Sequence, residues 1–226
     1  MNNYIHLVLK LFCVILPWSL RRRLLILFFG YELDKSARIG FSWIYPSKLI
    51  MKSNSRIGSL NVAVHLDVIE MNEFATIARS NWITGFSTKT ISKHFVHQLN
   101  RSSSLIIGAH SAITKHHHID CTSSITIGKF VTIAGYNSQL LTHSIDIFEN
   151  KQDSHPILIG DYCFVGTDVV ILGGSILPSY SVLGAKALLN KDFKEEYTLY
   201  GGVPAKAISV LPRQAKYFVR KTGFVH

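Results

Sequence analysis

Of the eleven histidines in this 226-residue chain, two settings invite chemistry. In "LLTHSID", residues 140 to 146, His143 stands three residues before a carboxylate, Asp146. An imidazole with an ordinary pKa of about 6.5 can take a proton from a hydroxyl near neutral pH and return it to a leaving group. Asp146 is placed to orient the ring, with Asp120 as a rival. A solvated loop histidine is the plainer reading of the same residue. In "KHHHID", residues 115 to 120, three consecutive histidines suggest a metal. Neighbours on a flat strand point to opposite sides, so the three cannot converge on one ion, and no metal site is expected. His117, with His118 as the alternative, is kept as a side chain that lines the cleft one turn from His143. Cys13, Cys121 and Cys163 form no CxxC pair and no even framework. They read as reduced thiols in a cytoplasmic setting, with Cys121 a small buried side chain before it is a nucleophile.

The elements that must position these residues announce themselves as a period of six. Ile107, Ile113, Ile119 and Ile125 keep the beat, which slips by two and continues as Ile127, Ile133, Gln139 and Ile145. After the polar run "FENKQDSHP" it resumes as Ile159, Val165, Ile171, Leu177, Leu183 and Leu189. Earlier it reads Ile39, Tyr45, Met51, Ile57, Ala63, Ile69, then Ile77 and Ile83. Such a period fits neither an amphipathic helix nor simple strand alternation. It fits a solenoid of three short strands per turn, each sixth aliphatic stacking inward on its equivalent. Turns are expected to start at Ile39, Ile57, Ile77, Ile107, Ile127, Ile159 and Leu177. Steps of 18 and 20 are plain turns; steps of 30 and 32 require inserted loops near 86–104 and 146–156. His143 sits where the rhythm breaks, and loops that leave a regular scaffold commonly build the site.

The formal charge of +10 gathers at the ends: six Lys and Arg against two acids in residues 1–38, five against none in 206–226. No nucleic-acid-binding signature accompanies it, so nucleic acid is not an expected partner. An anionic lipid or a phosphate-rich cofactor suits the same balance. Residues 1–38 read as an apolar, basic helical segment. Its run "LFCVILPWSL" is too short to span a bilayer, is interrupted by Pro17, and lacks a signal-peptide cleavage site. Two readings stand: a membrane-surface segment with Arg21, Arg22 and Arg23 on lipid phosphates, or a cap over the end of the core.

The repeat, of the form aliphatic-Gly-x-x-small-x, resembles the hexapeptide-repeat family. Three segments sharpen the resemblance towards its sugar O-acetyltransferases, such as the maltose and galactoside enzymes. "THSID" is similar to their THxxD. "HPILIGDYCFVG" is similar to PIxIGDxxWIG, with Phe164 in place of tryptophan. "GGVPAKAI" is similar to GxPAKxI. The resemblance implies an all-β solenoid, a left-handed parallel β-helix over 39–208, with an N-terminal helical segment and a short C-terminal cap that includes the basic tail 209–226. It implies a homotrimer that uses acetyl-CoA as co-substrate and a sugar or glycan as acceptor. His143 would be the general base for direct transfer in a ternary complex, and a backbone N–H or Asn137 would stabilise the oxyanion. The cofactor would lie along a groove between subunits at Gly166, Thr167, Gly184 and Ala185, with Lys186, Lys191 and Lys206 for its phosphates. The expected setting is modification of a bacterial surface polysaccharide in the cytoplasm, with a peripheral contact to the inner membrane. Serine acetyltransferases carry a histidine where this chain has Cys121, which counts against serine as acceptor. N-acylation of an amino sugar, and a non-catalytic or zinc-dependent protein, are the alternatives.

Overall fold

A computed structural model describes residues 3–223 and 225, with the side chains of residues 3–6 outside that description. The ends of the N-terminal segment and of the basic tail therefore lie outside the described residues. Three short strands make each turn, and equivalent strands pair in parallel to form three sheets. The first sheet has seven strands, from Glu32–Leu33 to Ile176–Leu177. The second has nine, beginning at Arg38–Ile39, and the third has seven, beginning at Trp43–Tyr45. The chain is a left-handed parallel β-helix.

Strict registry explains the sixfold beat. In the second sheet Ile57, Ile77, Ile113, Ile133, Val165 and Leu183 stand directly over one another. In the third, Ala63, Ile83, Ile119, Leu140, Ile171 and Leu189 do the same. The inner strands of the first sheet bury two aliphatic residues each, for example Leu105 with Ile107 and Ile125 with Ile127. Every one of these side chains is buried, and burial of each Val, Leu or Ile among them is worth roughly 1.5–3 kcal/mol.

Three details of the expected beat are corrected. Gln139 is exposed and Leu140 takes the inward place, because the corner before it holds one extra residue. Gly135 and Asn137 absorb that residue at φ of 70° and 59°. Ile145 leaves the core altogether, in an outlying hairpin. The equivalent of Ile77 is Ile113 and that of Ile107 is Met71, so the step of 30 compared two different sheets. Both insertions nevertheless leave the solenoid where the beat is interrupted.

Two helices, α1 (Asn3–Ile15) and α2 (Trp18–Phe29), precede the first turn. Buried Arg21 donates to the carbonyls of Gly40 and Ser42, both at 2.7 Å. Arg22 donates to the carbonyls of Leu33 and Asp34. These two arginines satisfy the open end of the first turn instead of reaching lipid phosphates. What α1 leaves exposed is apolar: Leu7, Val8, Leu11, Phe12 and Ile15, which share one helical face. Among the described residues no helix is long and apolar enough to cross a membrane.

At the opposite end, Thr198–Gly201 and Lys206–Val210 form an antiparallel hairpin that closes the second sheet. The tail beyond was expected over the last turn. It instead runs back along the corner between the first and second sheets. There Phe74, His110, Phe130, Tyr162, Tyr180 and Tyr197 stack as a ladder, neighbours 4.6–5.3 Å apart. Each ladder residue has a positive φ, an uncommon conformation for a bulky side chain. Ring stacking and the tail offset that strain. Phe218 packs edge-on against Tyr180 and Tyr197, and the Arg220 guanidinium lies over Phe130 and Tyr162.

Candidate active site

Both insertions emerge from one corner, between the third and first sheets. The later one folds back on itself, pairing His143–Asp146 antiparallel with Lys151–Ser154. The earlier one packs against it. The Gln98 side chain donates to Asp153 Oδ1 at 2.7 Å and to the Ser154 carbonyl at 2.9 Å, and accepts from Ser154 Oγ at 2.7 Å. Arg101 ties the same insertion to the wall through the Thr122 carbonyl at 2.6 Å and lies 4.7 Å over the Phe95 ring.

His143 is exposed at the base of this hairpin. Its main-chain N–H donates to Asp120 Oδ2 at 3.0 Å. Its Nε2–H donates to the side-chain carbonyl of Gln152. Phe95 abuts the ring edge-on, with centroids 5.5 Å apart. Nδ1 is left with its lone pair open. The arrangement can accept a proton at Nδ1 while Gln152 holds the ring still.

The expected orienting carboxylate is not there. Asp146 Oδ1 accepts the N–H groups of Phe148 and Glu149 at 3.0 and 3.1 Å, which closes the hairpin turn. Asp120 also accepts from the N–H and Oγ of Thr122, so it positions the backbone of His143 and not its ring. Gln152, which sequence reasoning missed, does the orienting. Ile145 pairs with Gln152, so His143 and Gln152 are diagonal neighbours on one hairpin face. That signal appears only once the hairpin register is known. A second imidazole stands nearby: His155 Nε2 is 2.9 Å from Asp153 Oδ2.

His117 is not in this cleft. It is fully buried at the corner between the second and third sheets. Its Nδ1 accepts the N–H of Ser138 at 3.1 Å, which leaves Nε2–H to donate to Thr114 Oγ at 2.9 Å. Burial, aided by the neighbouring His116, pushes its pKa down to about 4. A neutral ring with both nitrogens engaged cannot exchange protons with a substrate. Asn137 is on this corner too, exposed, at φ 59°. From Asn137 to His143 the chain crosses the third sheet in six residues, roughly 20 Å of extended strand.

The expected cofactor residues divide. Gly166, Thr167, Gly184, Ala185 and Lys186 come together on successive turns of the second-to-third corner. A Cβ at Gly166 would fall 2.6 Å from the backbone nitrogen of Ala185, so glycine is needed for that close approach. Thr167 Oγ bonds the N–H and carbonyl of Tyr136, both at 3.1 Å. Lys186 pairs with Asp168 at 2.7 Å. Lys191 is on the third-to-first corner, where its carbonyl accepts from Ile176, and Lys206 is in the end hairpin. Burial holds the Cys121 thiol well above its usual pKa and pushes Cys163 up to about 12, so neither supplies a thiolate nucleophile. Among the described residues no three His, Cys, Asp or Glu side chains gather as a metal site.

No family model matches the chain. A chloramphenicol acetyltransferase from Escherichia coli is 37% identical over 65 residues, and the chain spans only 29% of that relative's length and matches over 29% of its own. Among solved structures, the polysialic acid O-acetyltransferase OatWY superposes with a TM-score of 0.58 at 16% identity, over 84% of this chain and 90% of that one. The polySia-specific acetyltransferase NeuO gives 0.51 at 20% identity, over 82% and 84%. A hexapeptide-repeat-containing acetyltransferase from Vibrio cholerae O1 biovar eltor, complexed with acetyl coenzyme A, gives 0.50 at 22% identity, over 90% and 84%. The chain shares its fold with these hexapeptide-repeat acetyltransferases.

Proposed function

We propose that this chain transfers an acetyl group from acetyl-CoA to a sugar hydroxyl, with His143 as general base. One observation carries the reading: an exposed imidazole on an insertion of the β-helix, with Nε2–H held by Gln152 and Nδ1 open. The solved acetyltransferases that share the fold support the reaction class, two of them by acting on polysialic acid. The acceptor hydroxyl gives its proton to His143 Nδ1 as its oxygen attacks the thioester carbonyl. The tetrahedral intermediate then collapses, the C–S bond breaks, and the imidazolium returns the proton to the departing thiolate. The products are an acetyl ester and coenzyme A. A base of this kind typically contributes about 10²–10⁴-fold.

The base and the corner that carries Gly166 and Gly184, where the cofactor groove would form, are on opposite edges of the third sheet. A homotrimer, in which one subunit's groove meets the next subunit's hairpin, would unite them. Surface polysaccharide or its lipid-borne precursor suits the exposed face of α1 as well. Residues 1–31 contain no acid, and Arg23 is exposed beside the apolar Leu20 and Leu27. That face would rest on an anionic membrane from the cytoplasmic side. Leu11→Glu with Phe12→Glu should abolish co-sedimentation with phosphatidylglycerol vesicles while the protein stays folded. Undiminished binding would remove the membrane role.

Acetyl-CoA incubated with the full chain and a panel of glycan fragments tests the reaction. Acceptor-dependent release of coenzyme A, with a base-labile ester on the glycan, is the expected result. A base-stable amide product, or no release with any acceptor, would refute O-acetylation.

A further inference from the structure

Between the two insertions lies a cleft of about 310 Å³, beside the proposed base. Gln152, which holds the His143 ring, is one wall, and Phe95, which packs on that ring, is another. Lys93, His94 and His97 come from the first insertion, and Lys151 from the second. The lining contains no carboxylate. Two of the hairpin's three carboxylates are turned to other partners: Asp146 to the turn N–H groups, Asp153 to Gln98, the Ser154 N–H and His155; the third, Glu149, is not part of the lining. Among the described residues neither Lys93 nor Lys151 forms an ion pair. Two unpaired ammonium groups and two imidazoles therefore face one small space, which is a donor set for anionic oxygens. The volume is at the low end of ligand pockets, about 300–1,000 Å³, so it suits one sugar unit and not a whole glycan.

We propose that this cleft selects an acceptor bearing an anionic group next to the hydroxyl that is acetylated. The identity of the reaction rests on the acetyl-transfer reading above; the charge preference rests on the cleft itself. The anion is either the carboxylate of an acidic sugar or the phosphate of an activated one. Ile145 and Phe95 offer the apolar surface on which a pyranose ring packs. Lys93 and Lys151 fix the anion, and its neighbouring hydroxyl is thereby presented to His143.

The test is calorimetric binding to the full-length protein, run beside coenzyme A release. The probes are oligosialic acid, its carboxyl-reduced neutral form, glucose 1-phosphate and glucose. The structure predicts that at least one anionic probe binds and that its neutral counterpart binds roughly tenfold more weakly or worse. Lys93→Gln with Lys151→Gln should weaken the anionic probe by about fivefold or more, the modest effect expected of two exposed ion pairs. Coenzyme A affinity should not move. Preference for oligosialic acid identifies a carboxylate, and preference for glucose 1-phosphate a phosphate. Equal binding of charged and neutral probes, or binding of neither, overturns the proposal. So does a variant that loses coenzyme A affinity instead, because the lysines would then serve the cofactor. Anionic probes bound without any acetyl transfer would preserve the cleft's preference and refute the reaction.

Discussion

The two edges of the third sheet each carry a histidine, and the chain treats them in opposite ways. At the second-to-third corner the turns are tight, with one extra residue at Gly135–Asn137 and no inserted loop. Asn61, Asn81, His117 and Ser138 form a buried polar ladder there, each linked to the next across one turn. His117 is neutral and its ring hydrogen bonds are complete. At the third-to-first corner two insertions break the stack, and His143 stands exposed with one nitrogen held and the other open. A histidine inside regular structure is a wall component; the same residue where regularity is given up is free to do chemistry.

The largest effect that would break this contrast concerns His143→Ala. Acetyl transfer should fall about 10²–10⁴-fold, with the thermal midpoint unchanged, as kinetics and melting curves would show. His117→Ala should do the reverse. It leaves the Ser138 N–H without its buried acceptor and a void where the ring was, costing roughly 2–4 kcal/mol, while kcat of the folded protein stays within a few-fold. Denaturant titration reads that loss.

A pH dependence sharpens the same point. Folding lowers the His117 pKa from 6.5 to about 4, so the unfolded chain binds the proton more readily. Its contribution is complete above pH 6.5 and disappears as pH falls towards 4, by up to ~3 kcal/mol. Unfolding measured across that window should show the slope in wild type and a shallower one in His117→Gln. The smallest effect belongs to Gln152→Ala. Losing the tether that orients the His143 ring should lower kcat by roughly tenfold, consistent with a single hydrogen bond of about 1–1.5 kcal/mol, with little change in stability.

The solenoid was legible because its cause is local: an inward aliphatic at each short strand, repeated within eighteen residues. The insertions were legible as interruptions of that beat. The register at Leu140 was not, because the extra residue held at Gly135 and Asn137 displaces that one strand by a place before the beat resumes at Ile159. The fate of His117 was hidden as well. Its decisive partners, Ser138 and Asn81, are 21 and 36 residues away in sequence and become neighbours only through stacking. The role of Gln152 depended on the hairpin register, and Asp146, which sequence spacing had assigned to the His143 ring, caps the hairpin turn instead. Arg21 and Arg22 suited either lipid phosphates or a cap over the core, and the choice was hidden because the backbone carbonyls they bind are presented only by the folded first turn.

The most direct measurement is acceptor-dependent release of coenzyme A by His143→Gly, with and without added free imidazole, beside His117→Gly. Transfer should collapse in His143→Gly and rise again with imidazole concentration, while His117→Gly ignores it. Undiminished transfer by His143→Gly would contradict the assignment of the base and with it the contrast between the two edges.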